Sequence, residues 1–172
     1  MKLIIIGNGG TGKSTLGDML GKKLNIPVYH TDQMVYKAKW ERVPENEFKA
    51  NLAEIFKTGN CIIEGWGYNS TLKQRLDEAD TIIYLAYPVW FSYVFAIKRY
   101  FQYYFKQNPY DPPGAFRRHV LKRTLEAMWL VHKTYEPELR QMLPEYQDKK
   151  KVFIFKNRKE LRKFLKTFQG NL

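Results

Sequence analysis

Cysteine is almost absent from this chain of 172 residues, which contains only Cys61. One cysteine cannot form an internal disulfide, and Cys61 lies in an apolar stretch rather than in a metal-ligand spacing. The apolar stretch at residues 3–6 is too short for a secretory signal, and no small-residue cleavage site follows it. We therefore expect the mature chain to begin at Met1 and the protein to reside in the reducing cytoplasm.

The chain also has no apolar run long enough to cross a membrane. Its longest candidate, residues 82–97, has 16 residues and is interrupted by Pro88 and Ser92. A membrane-spanning helix needs about 20 predominantly apolar residues. The run therefore predicts a buried strand followed by a buried helix, and we expect no membrane partner.

Acidic residues are scarce in the second half of the chain. The whole sequence carries 29 Lys and Arg against 17 Asp and Glu, a net charge of +12, but residues 1–90 contribute only +1 and residues 91–172 contribute +11. Such an excess favours anionic partners. Phosphorylated small molecules, nucleic acid and acidic membrane surfaces all satisfy this condition.

The length favours a single domain over residues 1–172. Short apolar runs alternate with amphipathic segments, which is typical of βαβ units and predicts an α/β fold with a doubly wound parallel sheet. Five strands are predicted, at residues 2–6, 27–30, 61–64, 81–86 and 151–155. Helices are predicted at residues 13–24, 45–57, 71–79, from 88 to about 105, from 116 to about 135, and after Asn157, whose side chain is predicted to cap the last helix. Pro137 is expected to kink or end the helix that begins at residue 116.

The strongest motif follows the first predicted strand and opens the first predicted helix. Residues 7–14 read Gly-Asn-Gly-Gly-Thr-Gly-Lys-Ser, a full match to the phosphate-binding loop pattern. In such a loop the backbone amides and the helix N-terminus bind a triphosphate, the lysine reaches the β and γ phosphates, and the serine ligates Mg²⁺. The motif predicts that ATP and Mg²⁺ are bound by Gly7, Gly9, Gly10, Thr11, Gly12, Lys13, Ser14 and Thr15.

Two acidic residues follow predicted strands, at the edge of the sheet where α/β proteins collect their ligands. Glu64 ends strand three, and we predict that it holds Mg²⁺ through a water molecule; the alternative is a solvent-facing carboxylate. Asp32 follows strand two and is a candidate to bind or deprotonate an acceptor hydroxyl, or else a helix N-cap. The neighbouring His30 is more simply a packed histidine than a base.

Five arginines are candidates for contact with phosphate. The proline-rich residues 107–114 predict a loop between two long helices, and with its flanks, at about residues 99–118, a lid. Arg99, Arg117 and Arg118 flank that loop and are predicted to compensate the charge of the transferring phosphoryl group, although a solvated helix end would explain them as well. Arg75 is predicted to meet the acceptor, and both Arg75 and Arg42 rank below these three.

With these residues in place, the chain resembles the adenylate-kinase-like branch of P-loop proteins. Within that branch it resembles the bacterial family labelled DNA topology modulation protein, or FlaR-type. The resemblance covers nearly the whole length and is carried by residues 7–15, 28–32, 62–65, 79–85, 98–99 and 151–155, with Trp40 and Arg75. It implies a five-stranded parallel sheet, a mobile lid and a helical segment on the acceptor side. The chain departs from the family in having Glu64-Gly65 where Asp-Gly is usual.

These observations predict an ATP-binding, Mg²⁺-dependent phosphotransferase whose acceptor is a nucleotide-like or other small metabolite. The rival interpretation is a nucleic-acid-binding regulator that uses the P-loop as a nucleotide switch, since aromatic residues alternate with Lys and Arg at positions 93–106. We expect any nucleic-acid binding to be weak, because a core or a subunit interface explains those rings more simply. A homodimer built on the aromatic helix is compatible with either function.

Overall fold

A parallel sheet of five strands forms the centre of the protein. The structure is a computed structural model and describes residues 1–114 and 120–168. The strands follow the order β2-β3-β1-β4-β5 and every neighbouring pair is parallel. Their bounds are β1 Lys2–Gly7, β2 Val28–His30, β3 Cys61–Glu64, β4 Thr81–Leu85 and β5 Lys151–Phe155.

Eight α-helices are found in the described part of the chain. They are α1 Lys13–Leu24, α2 Thr31–Val35, α3 Glu45–Lys57, α4 Leu72–Glu78, α5 Val89–Gln102, α6 Leu121–Leu130, α7 Glu136–Gln147 and α8 Arg158–Thr167. Two short 3₁₀ turns, Ala38–Trp40 and Asn69–Thr71, and a π-helical segment, Val131–Tyr135, complete the elements.

Residues of β1 alternate between two cores, one on each face of the sheet. Leu3 and Ile5 pack with the apolar face of α1, whereas Ile4 and Ile6 pack with α3 and α7. All four side chains are fully buried, and each stabilises the fold by roughly 1.5–3 kcal/mol relative to an exposed position. The continuous apolar run of β1 therefore reflects burial on both faces, as the sequence predicts.

The predicted helix boundaries are confirmed for α1 and α3, and the predicted cap of α8 is also confirmed. The Asn157 side chain accepts hydrogen bonds from the backbone N–H groups of Lys159 and Glu160, at 3.0 Å each. The helix predicted to reach about residue 105 instead ends at Gln102.

Pro137 is predicted to end or kink the helix before it, but helical structure continues through Pro137 into α7, which the sequence analysis does not predict. Pro137 lies in the first turn of α7, where its missing N–H removes little hydrogen bonding. The π-helical segment Val131–Tyr135 links α6 to α7 directly before it. A π-helical turn shifts the hydrogen-bond pattern of a helix, so the chain continues as helix where the sequence suggests a break.

No helix within residues 1–114 and 120–168 is long and apolar enough to span a membrane. The apolar run at residues 82–97 forms most of β4 and the first part of α5, as predicted.

Candidate functional site

The phosphate-binding loop lies at the carboxyl end of β1 and leads directly into α1, as its motif predicts. Gly10 has a φ of 75°, and a Cβ at this position would lie 2.7 Å from the backbone oxygen of Ser92 in α5. Only glycine permits this approach without strain. The loop is therefore held close to α5, the helix that carries Arg99.

Asn8 connects the loop to α6 and to the lysine of the motif. Its side-chain Nδ2 donates a hydrogen bond to the backbone oxygen of Met128, at 2.9 Å. Its backbone oxygen accepts from Thr11 Oγ1, at 2.8 Å, and from Lys13 Nζ, at 2.9 Å. Asn8 thus positions the ammonium group, a role that the motif alone does not assign to it.

Lys13 is poised to receive an anion. Burial lowers the pKa of its ammonium group, while the nearby carboxylates of Glu64 and Asp32 oppose that shift. A lowered pKa means that the charged form is incompletely compensated in this structure. Phosphate oxygens at this position would supply the missing negative charge.

One cavity opens on the α5 side of the loop, with a volume of about 330 Å³. It combines loop amides and cations, which suit the phosphates of a nucleoside triphosphate, with flat rings, which suit its base. Its lining includes Gly10, Thr11, Gly12, Lys13, Ser14 and Thr15 from the loop and α1, Phe91, Phe95, Lys98 and Arg99 from α5, Tyr103 and Tyr110 from the following loop, and Arg158 from α8.

A second cavity lies on the other side of Lys13, with a volume of about 430 Å³. This volume is within the usual range for a small-molecule site. Its charged lining residues are Lys13, Asp32, Arg42, Arg99 and Arg123, and its aromatic lining residues are Tyr36, Trp40, Trp66 and Tyr135.

Lys13 and Arg99 line both cavities. A group that passes from one cavity to the other would therefore move between two cationic side chains. This is the charge distribution that a transferring phosphoryl group requires.

The segment after α2 forms one wall of the second cavity. Tyr36 and Arg42 pair in an isolated antiparallel bridge, and both line the cavity together with Trp40. Trp40 has a φ of 64° within this turn. A left-handed conformation is unfavourable for a bulky residue and often marks a functional position. Asp32, in the first turn of α2, lines the same cavity, as the acceptor prediction requires.

Glu64 does not face open solvent. It is 3% exposed, and its Oε1 lies 2.7 Å from His30 Nδ1. The other ring nitrogen of His30, Nε2, lies 3.3 Å from Asp18 Oδ1. His30 is therefore a bridge between two carboxylates and not simply a packed histidine, and Asp18 is a site residue that the sequence analysis does not identify.

The Glu64 carboxylate gives the protein a testable dependence on pH. Its hydrogen bond to His30 raises the pKa of the imidazole above 6.5, and burial only partly opposes the rise. A group with a raised pKa in the folded state stabilises the fold below its unfolded pKa and loses that contribution as the pH rises through the folded value. We expect the free energy of unfolding, without metal or nucleotide, to fall as the pH rises from about 6.5.

Urea unfolding across a pH series measures this effect, and His30→Gln is expected to flatten the dependence. An imidazole pKa below 6.5 in an NMR titration, or an equal pH dependence in the variant, would contradict the assignment.

The residues predicted to hold Mg²⁺ supply suitable ligand atoms. Ser14 lies in the first turn of α1, and Glu64 packs against the same helix, since a Cβ on Gly17 would lie 3.5 Å from Glu64 Cγ. Asp18, one turn after Ser14, adds a carboxylate that the sequence analysis does not identify. Mg²⁺ prefers hydroxyl, carboxylate and water oxygens. The donor set therefore fits this ion.

Arg75 differs from its predicted role as an acceptor ligand. Its side chain is fully buried and donates hydrogen bonds to the backbone oxygens of Gly65, at 3.1 Å, and Trp66. Burial lowers the pKa of the guanidinium to about 10. Since Trp66 lines the second cavity, Arg75 supports the cavity wall from behind instead of contacting its contents.

The described part of the predicted lid is not helical beyond Gln102. Residues 103–114 form turns, and they are folded down onto α1 and α2. The hydroxyl of Tyr110 donates to Asp18 Oδ2, at 2.7 Å, and Gln33 Nε2 donates to the backbone oxygen of Pro109, at 3.2 Å. Tyr110 also packs edge-on against His30, with 5.3 Å between ring centroids. Arg117 and Arg118 lie outside the described residues.

If the Tyr110 hydroxyl holds this loop down, Tyr110→Phe should release it. We expect the amides of Asn108, Tyr110, Asp111 and Gly114 to exchange with deuterium about 10- to 100-fold faster in the variant, because a hydrogen bond to a carboxylate contributes about 1.5–3 kcal/mol. Tyr104→Phe, which removes a hydroxyl from the same loop, is the matched control. Equal exchange in both variants would mean that other contacts hold the loop.

The sheet order 2-3-1-4-5, with a phosphate-binding loop between β1 and α1, defines the fold of the P-loop kinases. Two solved structures with this fold span almost all of the chain. A shikimate kinase from Acinetobacter baumannii, in complex with shikimate, is 16% identical with a TM-score of 0.54, covering 96% of this chain and 90% of that one. A gluconokinase from Sinorhizobium meliloti 1021 is 11% identical with a TM-score of 0.53, covering 96% and 87%.

These similarities are structural and distant. No protein-family model matches the chain, and no curated protein matches it significantly.

Proposed function

We propose that this protein is an ATP-dependent phosphotransferase that acts on a small, hydroxylated, anionic acceptor. The observation that carries the proposal is the presence of Lys13 and Arg99 in the walls of both cavities. ATP occupies the cavity beside α5, the acceptor occupies the cavity beside α2, and the γ-phosphoryl group crosses between the two cations. The structural neighbours support this proposal, since both are small-molecule kinases.

In the proposed reaction, an acceptor hydroxyl oxygen forms a bond to the γ-phosphorus as the bond to the β,γ-bridging oxygen breaks. ADP leaves, and the hydroxyl proton passes to the Asp32 carboxylate and then to solvent. Lys13 and Arg99 stabilise the charge on the transferring group. Mg²⁺, held by Ser14 and through water by Glu64, would neutralise charge on the ATP phosphates.

The charge of the second cavity defines the chemistry of the acceptor. Arg42, Arg99 and Arg123 line it together with Asp32. Guanidinium groups bind carboxylates and phosphates with two parallel hydrogen bonds. Tyr36, Trp40, Trp66 and Tyr135 provide flat apolar surfaces, and the rings of Trp66 and Tyr135 stack at 6.0 Å. A compact acceptor with at least one anionic group fits these walls better than a neutral polyol.

A thermal-shift screen tests the acceptor class. In the presence of a non-hydrolysable ATP analogue and Mg²⁺, hydroxylated carboxylates and phosphate monoesters are expected to raise the melting temperature, because ligands that bind only the folded state stabilise it. Arg42→Ala should abolish that response without changing the response to the ATP analogue. Stabilisation by neutral polyols alone would contradict an anionic acceptor.

The positions of the basic residues support the phosphotransferase over the nucleic-acid-binding regulator. Lys98, Arg99, Arg123 and Arg158, all in the basic half, line the two cavities. We expect only weak, salt-labile binding to DNA, because binding to nucleic-acid backbones weakens steeply with salt. Tight binding to labelled oligonucleotides at about 0.15 M salt, with a dependence on nucleotide, would favour the regulator instead.

We also propose, on the sequence motifs alone, that the chain is related to the FlaR-type family of adenylate-kinase-like proteins. A cytoplasmic location is proposed on the same footing.

A further inference from the structure

One face of α5 exposes an apolar seam to solvent. Trp90 is 64% exposed, Val94 55%, Ile97 38% and Phe101 70%. These residues are separated by four, three and four positions along a helix of 14 residues. The seam therefore runs about 16 Å, at 1.5 Å per residue, along most of the length of α5.

The other face of α5 is already engaged with the protein. Ser92 and Ala96 are buried, and the helix backbone approaches the phosphate-binding loop at Gly10. The seam is thus directed away from the nucleotide cavity. Four large apolar side chains aligned in this way are more than the single exposed residues that a protein surface ordinarily carries.

The spacing of the seam is that of alternating d and a positions in a coiled coil, where each side chain inserts between residues of a facing helix. We propose that a second copy of this chain docks here, with the two α5 helices packed antiparallel about a two-fold axis. In this register Trp90 meets Phe101 of the second copy, and Val94 meets Ile97 of the second copy. Each contact then occurs twice, as an isologous interface requires.

The seam is complementary to itself in size. The register pairs the bulky rings at the two ends and the β-branched residues in the middle.

The area available is close to what a specific dimer needs. From the surface of an aromatic side chain, about 150–250 Å², and the exposures above, the four seam residues offer about 400 Å² per copy, or about 800 Å² per pair. Their neighbours Tyr93 and Lys98 bring the total towards about 1,000 Å², the lower limit for a specific interface. An interface at this lower limit is expected to associate weakly and reversibly.

Sedimentation equilibrium of the full-length protein, from about 1 to 200 μM, tests the proposal over the range expected for an interface of this size. The wild type is expected to shift from its monomer mass of 20.5 kDa towards twice that value. Val94→Asp and Ile97→Lys should each remain monomeric, because each places a charge in the middle of the apolar seam twice per dimer. Met19→Lys, at an exposed apolar position on α1, is the matched control and should associate like the wild type.

Mixing the two variants tests the antiparallel register itself. In a mixed pair, one central contact sets the introduced aspartate of one chain against the introduced lysine of the other. The second central contact keeps the original Val94 against the original Ile97, so association is expected to return. Circular dichroism confirms that each variant is folded.

A wild type that stays monomeric throughout the range would overturn the proposal, and would assign the seam to a lipid surface if the protein then bound anionic vesicles. Association by the separate variants, or no association in their mixture, would equally contradict it. None of these outcomes depends on the proposed enzymatic activity.

Discussion

Lys13→Ala is expected to weaken ATP binding by about 10- to 100-fold, as the loss of one charged hydrogen bond of about 1.5–3 kcal/mol would do. The ammonium donates to the backbone oxygen of Asn8 and lies where the two cavities meet. The measurement is a titration of both proteins with a fluorescent ATP analogue.

The same substitution should leave the fold intact or slightly more stable. Because burial lowers the pKa of Lys13, the folded protein holds this cation at some expense to its stability. The melting temperature without nucleotide is therefore expected to stay the same or to rise. Lys22→Ala, at an exposed position on the same helix, is the control and should change neither property. Equal ATP affinities for Lys13→Ala and the wild type would remove the P-loop assignment.

Arg99→Ala is expected to have the largest effect on turnover, a decrease of about 10³-fold, similar to the lower range for an arginine that stabilises phosphoryl transfer. Arg99 lines both cavities, so its guanidinium can contact the phosphoryl group throughout the transfer. The affinity for ATP should change much less, since the loop amides and Lys13 remain.

The conservative variant and a surface control distinguish this role from a general charge effect. Arg99→Lys should recover only part of the activity, because a lysine lacks the planar fork of guanidinium donors. Arg162→Ala, an exposed arginine on α8, should be as active as the wild type. Turnover that falls only in proportion to ATP affinity in Arg99→Ala would assign Arg99 to nucleotide binding.

Local patterns in the sequence predict most of the fold. The apolar runs of β1, β3 and β4 are buried on both faces, so each is a continuous signal of a central strand. The loop of residues 7–14 lies between strand and helix as its motif requires. The helix α7 is missed because Pro137 is a break signal in a single sequence, whereas its effect depends on where in a helix the proline falls.

The site is predicted less completely, because much of it depends on contacts between residues far apart in sequence. Asp18 becomes a site residue only when the sheet brings His30 beside it. Arg42 and Arg123 reach one cavity from segments about 80 positions apart. No local pattern distinguishes them from the other basic residues of the chain.

For Arg75 the sequence predicts a site residue, whereas the structure shows a buried side chain that supports the cavity wall. A guanidinium on the helix after β3 suggests a phosphate ligand, but the backbone oxygens of Gly65 and Trp66 accept hydrogen bonds from it inside the protein. Buried polar groups require such partners, and partners supplied by a loop backbone leave no trace in residue type.

The transfer of label from [γ-³²P]ATP in a protein-free extract of small metabolites tests the central claim most directly. The proposed arrangement predicts that the wild-type protein, with Mg²⁺, forms a labelled small molecule other than inorganic phosphate, and that Lys13→Ala does not. The acceptor from which the labelled product forms is expected to carry an anionic group of its own. Label that stays in ATP, or that appears only in inorganic phosphate, would contradict a phosphotransferase built on these two cavities.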